Sequence, residues 1–136
     1  MNILVMDGQG GRLGALLIKE IRARLPQSRI MAVGTNSAAT AAMLKAGADE
    51  SATGENPVVV ACRKADVIVG PVGIVIADAM LGEITEKMAC AVARADAKRI
   101  LLPMNRCDNI IAGVQDLNLS TLIADAVEKI ANLDKC

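Results

Sequence analysis

The chain has 136 residues, a length that suits one domain rather than two, and 53% of them are hydrophobic. Its 15 basic and 15 acidic side chains cancel, and Phe, Trp, Tyr and His are all absent. With no basic field and no aromatic stacking platform, nucleic acid is not an expected partner. Without His there is no imidazole base, no His metal ligand and no Ser-His-Asp triad. Cys62, Cys90, Cys107 and Cys136 include no Cys-x-x-Cys pair, so they read as reduced thiols rather than as a zinc or redox site. The start of the chain carries no basic leader. The longest apolar stretch, residues 67–81, is too short to span a bilayer and contains Pro71 and Asp78. A cytoplasmic protein with no membrane partner is expected.

Along the chain, apolar runs alternate with amphipathic ones. Ile3-Leu4-Val5-Met6 reads as a buried parallel strand ending at Asp7-Gly8. Leu13, Leu17, Ile18, Ile21 and Leu25 then share a helical face that Pro26 terminates. Ile30-Met31-Ala32-Val33 is a second strand closed by Gly34. Thr35-Asn36-Ser37 offers N-cap chemistry for an Ala-rich helix that Gly47 ends. A short third strand is expected over residues 49–53, and Gly54-Glu55-Asn56-Pro57 opens a helix. Asp66-Val67-Ile68-Val69 is a fourth strand, ending in Gly70-Pro71-Val72-Gly73. Residues 74–81 are read as helix, interrupted at Gly82 and restarted under Thr85, with Ile84, Met88, Ala91, Val92 and Ala95 inward. Ile100-Leu101-Leu102 is a fifth strand, and Ile110-Ile111-Ala112-Gly113-Val114 is a candidate sixth. A last helix starts at Ser120 and turns Ile123, Val127 and Ile130 inward.

This alternation makes the chain α/β: a single Rossmann-like domain over residues 1–136 with a doubly wound, mostly parallel sheet of expected core order 3-2-1-4-5. In such sheets ligands bind beyond the strand C-termini where the order reverses, here between the first and fourth strands. The loops at that edge are small and hydrogen-bonding: Gly8-Gln9-Gly10-Gly11-Arg12-Leu13-Gly14, Thr35-Asn36-Ser37, Thr53-Gly54-Glu55-Asn56, Gly70-Pro71-Val72-Gly73 and Asn105. The opposite edge carries Arg24, Arg29, Lys45, Arg63, Lys64, Lys98 and Arg99, solvating charges near helix C-termini.

The first loop is the strongest of these signals. Gly8 permits a tight turn off the first strand, Gly10 and Gly11 allow backbone N–H groups to approach an anion, and Gly14 lets the helix pack closely. The Gly8, Gly11 and Gly14 spacing resembles the first loop of extended or atypical short-chain dehydrogenases. No Asp or Glu ends the second strand, so NAD and NADP are not distinguished, and no Tyr exists for that family's catalytic pair. NAD(P) or another nucleotide is the expected cofactor; flavin is placed behind it because flavin sites often use aromatic stacking. Asp7 either caps the turn or joins a nucleotide-bound Mg²⁺, and no dedicated metal site is expected. Glu55, Glu83 and Glu86 are further acidic candidates, with a solvated helix face as the plain alternative. Cys107 beside Arg106 is a candidate thiol nucleophile. Ala89, Ala93 and Ala97 at spacing four, together with the apolar runs 57–61 and 74–81, suggest a homodimer.

Asp7-Gly8-Gln9-Gly10-Gly11, Gly34-Thr35-Asn36, Ala42-Met43-Leu44-Lys45-Ala46-Gly47-Ala48, Ala52-Thr53-Gly54-Glu55-Asn56, Gly70-Pro71-Val72-Gly73, Met80-Leu81-Gly82-Glu83-Ile84-Thr85 and Pro103-Met104-Asn105-Arg106-Cys107 together resemble a family of short bacterial proteins filed as a domain of unknown function. The resemblance implies a Rossmann-like domain and supplies no reaction. Two functions therefore stand side by side. One is nucleotide binding at the Gly-rich loop, with a small NAD(P)-linked oxidoreductase as its candidate setting. The other is a non-catalytic sensor or partner subunit that binds a small anionic metabolite or another protein.

Overall fold

A computed structural model describes residues 1–104 and 109–133. The elements run β1 (Asn2–Asp7), α1 (Arg12–Arg24), β2 (Arg29–Gly34), α2 (Ser37–Ala46), β3 (Glu50–Thr53), α3 (Glu55–Lys64), β4 (Val67–Pro71), a 3₁₀ turn (Val72–Val75), α4 (Glu86–Arg94), β5 (Lys98–Leu102) and α5 (Leu119–Asn132). All strand pairs are parallel, and the sheet order is β3-β2-β1-β4-β5, as expected from the alternation. Val5 lies opposite Ala32 on one side and Val69 on the other, which makes β1 the centre of the sheet.

The two-residue period of a strand sends alternate β1 side chains into different cores. Ile3 and Val5 join Leu17, Ile18 and Ile21 of α1, Met43 of α2, and Val127 and Ile130 of α5. Leu4 and Met6 join Val58 and Cys62 of α3 and Met88 and Val92 of α4. Both faces are covered, so the inner strands β1, β2 and β4 are largely apolar rather than alternating. Ala89 and Ala97 are buried in the second core, so the alanine stripe offers no continuous face to a second copy.

Two arginines at the basic edge brace the backbone. Arg99 Nη1 donates to the carbonyl of Ala95 (2.7 Å) at the end of α4. Arg22 donates to the Gly47 and Ser28 carbonyls (2.9 Å each) and pairs with Asp49, which the Arg22 hydrogen bond holds below the usual carboxylate range. Among the described residues no helix is long and apolar enough to cross a membrane.

Three expected elements differ. Residues 74–81 are not a helix: after the 3₁₀ turn the backbone is irregular, and Asp78, Met80 and Leu81 have φ of +67°, +58° and +55°. A right-handed helix excludes those angles. The apolar character of the run reflects burial without a regular backbone, since Ile74 is fully buried and Val75, Ala79 and Met80 pack against the second core. No strand forms over 110–114: Ile110 is 90% exposed and Gly113 has φ +82°. The last helix is capped by Asn118, whose side chain accepts from the Thr121 N–H, not by Ser120.

Candidate functional site

Asp7, the last residue of β1, is 5% exposed, the one buried charged side chain among the described residues. Its Oδ1 accepts from the Gly8 N–H and its Oδ2 from the Gly14 N–H (2.8 Å each). It thus caps α1 from inside, since Gly14 is that helix's third residue and the N-cap, Gly11, has no side chain. Burial pushes the Asp7 pKa up, the two N–H groups hold it down, and the nearby Glu83 adds to the rise.

The remaining glycines divide by function. Gly11 has φ +72°, and a Cβ there would lie 2.7 Å from Ala39 Cα. Its N–H donates to the Gly8 carbonyl (2.9 Å), so Gly11 is a packing turn rather than an anion donor. Gly14 packs against Met43 and Asp7, as its expected close-packing function requires. Gly10 faces open space, with nothing within 4 Å of a built Cβ. Among the described residues, the N–H groups of Gly10, Arg12 and Leu13 meet no protein acceptor. Helix geometry points the Arg12 and Leu13 groups out of the positive end of α1.

These groups open on a cavity of about 480 Å³ between the exits of β1 and β4. Gly8, Gln9, Gly10, Gly11, Arg12 and Leu13 form one wall, and Pro71, Val72 and Gly73 form another. Ile76, Ala79, Met80, Met104, Asn109 and Leu119 complete the lining. Arg12 is the only basic side chain among the described lining residues, and Asp7 is the only acidic one.

Beside the cavity, Glu83 closes the exit of β2. Its Oε1 accepts from the Gln9 N–H (3.0 Å), Thr35 Oγ1 (2.7 Å) and Asn36 Nδ2 (2.6 Å). Burial alone would raise Glu83; the three donations together outweigh it and hold the carboxyl below its ordinary range. Glu83 is therefore not on a solvated helix face. Its partners stand 74, 48 and 47 positions away in the chain, beyond any local pattern.

The family model for a domain of unknown function (DUF3842) matches residues 2–135. The chain belongs to that family. No curated protein matches it. Among solved structures it is similar to a dodecameric FMN-dependent UbiX-like decarboxylase from Escherichia coli O157:H7, at 18% identity and TM-score 0.47, covering 96% of this chain and 76% of that one. It is also similar to AibC, at 18% identity and TM-score 0.48, covering 96% of this chain and 38% of that one.

Against the expectation that places flavin behind NAD(P), the first of these structures is named FMN-dependent, which is a statement about that protein. Two features of the DUF3842 chain bear on the absence of aromatic side chains and on the expected loops. Thr35 and Asn36, part of the expected binding edge, both donate to Glu83. Met80, Met104, Val72, Ile76 and Leu119 give the cavity polarizable and aliphatic walls, which can cover a flat ring without aromatic stacking.

Other expected site residues lie elsewhere in the DUF3842 fold. Gly70 is buried in β4, where a Cβ would meet the Met6 carbonyl at 2.3 Å. Ser37 is exposed in the first turn of α2. Thr53 is 2.7 Å from Thr40 Oγ1, and Gly54, Glu55 and Asn56 start α3 on the far side of β2; none lines the cavity. Asn56 instead borders a smaller groove of about 290 Å³ beside β3. The reason is distance across the sheet: β2 separates β3 from β1. Asn105, Arg106 and Cys107 lie outside the described residues. Burial pushes the Cys62 thiol up to about 11, which suits a packing residue and not a nucleophile. Among the described residues no group of three His, Cys, Asp or Glu side chains could hold a metal ion.

Proposed function

We propose that this chain binds a small phosphate-bearing ligand of mononucleotide size in the cavity between the β1 and β4 exits, FMN being the first to test. The observation that carries this reading is the set of unengaged Gly10, Arg12 and Leu13 N–H groups at the start of α1, opening on a cavity of about 480 Å³. Oriented N–H groups and the positive helix end suit a phosphate, and Arg12 adds charge there. The volume falls within the ordinary range for small-molecule sites, and the remaining walls are largely apolar. Asp7 fixes the loop by taking the inner N–H groups, which leaves the outer ones for a ligand.

Equilibrium dialysis of the purified chain against FMN and against riboflavin tests the phosphate handle. Binding of FMN at least about tenfold tighter than riboflavin is expected, since a few charge-assisted hydrogen bonds distinguish the two. Equal affinity would remove the phosphate from the account. The chain has no Trp or Tyr, so bound nucleotide dominates the near-ultraviolet spectrum of the dialysed protein.

A further inference from the structure

Glu83 sits as an outside ligand would sit. One oxygen takes three donors from two strand exits: the Gln9 N–H, Thr35 Oγ1 and Asn36 Nδ2. The donor set is preorganised. Asn36 Oδ1 is held by the Ala39 N–H (2.9 Å), and Nδ2 also reaches the Gln9 carbonyl (2.9 Å). That leaves the amide only one way round. No basic side chain contributes to the cradle, which fits a planar monoanionic carboxylate better than a phosphate dianion.

The carboxylate arrives on a segment held in an unfavourable shape. Asp78, Met80, Leu81 and Gly82 all have positive φ, and three of them are not glycine. The segment is tied to itself, with the Asp78 N–H donating to the Ile84 carbonyl (2.7 Å) and the Ile84 N–H to the Ala79 carbonyl (3.2 Å). Its tip, Leu81, projects wholly into solvent at 101% exposure. Met80 sits over Gly8 and lines the cavity, and Gln9 belongs to both the cradle and the cavity wall. Whatever lifts Glu83 therefore also opens the cavity.

We propose that the Gln9–Thr35–Asn36 cradle is a carboxylate-binding subsite which the chain fills with its own Glu83, and that a ligand bearing both a phosphate and a carboxylate takes the cradle by lifting residues 76–84. The phosphate half rests on the reading of the α1 end given above; the cradle stands on its own geometry. In Glu83→Ala the cradle is left to solvent, so acetate should fill it. Acetate at about 100 mM is expected to raise the Tm of Glu83→Ala by about 2–4 °C over sodium chloride of equal ionic strength, and to leave wild type unmoved. An equal response in the two proteins overturns the subsite.

Phosphoglycolate, with one phosphate and one carboxylate, should bind Glu83→Ala about tenfold more tightly than wild type, because the internal competitor is gone. Methyl phosphate should bind both alike. Phosphoglycolate affinity unchanged by the substitution overturns the competition. Methyl phosphate binding to neither protein overturns the phosphate reading, and the acetate response then still decides the cradle. If Glu83→Ala does not fold, Glu83→Gln, with its neutral and weaker hold, should still bind phosphoglycolate more tightly than wild type; binding no tighter overturns the proposal.

Discussion

Asp7 and Glu83 are carboxylates at the same sheet edge, yet their surroundings move them in opposite directions. Burial raises Asp7 despite two N–H donors, whereas three donors lower the less buried Glu83. The consequences for acid stability have opposite signs. Glu83's contribution is fully present above its unfolded pKa, about 4.3, and is lost as the pH falls through the lower folded value. Asp7 favours the folded state most where it is protonated, and that advantage is lost as the pH rises from about 3.9 through its raised folded value. Thermal unfolding should therefore show the wild-type advantage over Glu83→Gln constant above about pH 5.5 and shrinking below about pH 4. The comparison with Asp7→Asn should drift the other way, wild type losing ground as the pH rises from acid. Parallel drifts would contradict these assignments. The importance of Asp7 was legible in the sequence, because a carboxylate directly before a Gly-rich turn has few solvent-side uses. That of Glu83 was not, because its three partners belong to loops brought to it only by the folded sheet.

At the level of elements, β1, β2, β4 and β5 were readable because each contains a short apolar run followed closely by a glycine or proline, and the helices because their apolar faces keep a 3.6-residue spacing. The same periodicity misled at residues 74–81, where Ile74, Val75, Ala79 and Met80 reach the second core from a largely irregular segment. Hydrophobicity marks burial, and burial does not require regular backbone. The first loop shows a similar limit. Four glycines in seven residues suggested one shared purpose, but they have three: Gly11 and Gly14 let α1 pack against α2, Gly8 lies beneath Met80 and Thr35, and Gly10 alone of these four has open space. Gly11→Ala should cost about 1–3 kcal/mol in urea unfolding followed by circular dichroism, from the left-handed backbone and the Ala39 contact combined. A loss under about 0.5 kcal/mol would mean that α1 and α2 do not meet at this glycine.

For the molecule as a whole, the switch point of the sheet is the organising fact. The order β3-β2-β1-β4-β5 places the exits of β1 and β4 side by side, and connections leaving to opposite faces open the space between them. That much followed from the alternation of strands and helices. The absence of aromatic side chains was a weaker guide, since it suggested a site poor in flat-ring contacts. The fold instead lines the cavity with Met80, Met104 and aliphatic side chains. Of the five candidate loops, the first carrying the strongest signal, the sheet sorts four: those of β1 and β4 face the cavity, that of β2 is taken by Glu83, and that of β3 lies one strand too far.

FMN titration of wild type against Gly10→Val tests the placement of the phosphate most directly. A Cβ at Gly10 meets nothing within 4 Å in the folded chain, so the substitution is expected to leave the fold intact while placing a branched group beside the open N–H groups. The expected result is an unchanged Tm, within about 2 °C, with FMN affinity reduced at least about tenfold. FMN binding of equal strength in both proteins, or no binding to wild type at millimolar concentration, would contradict a phosphate site at the start of α1.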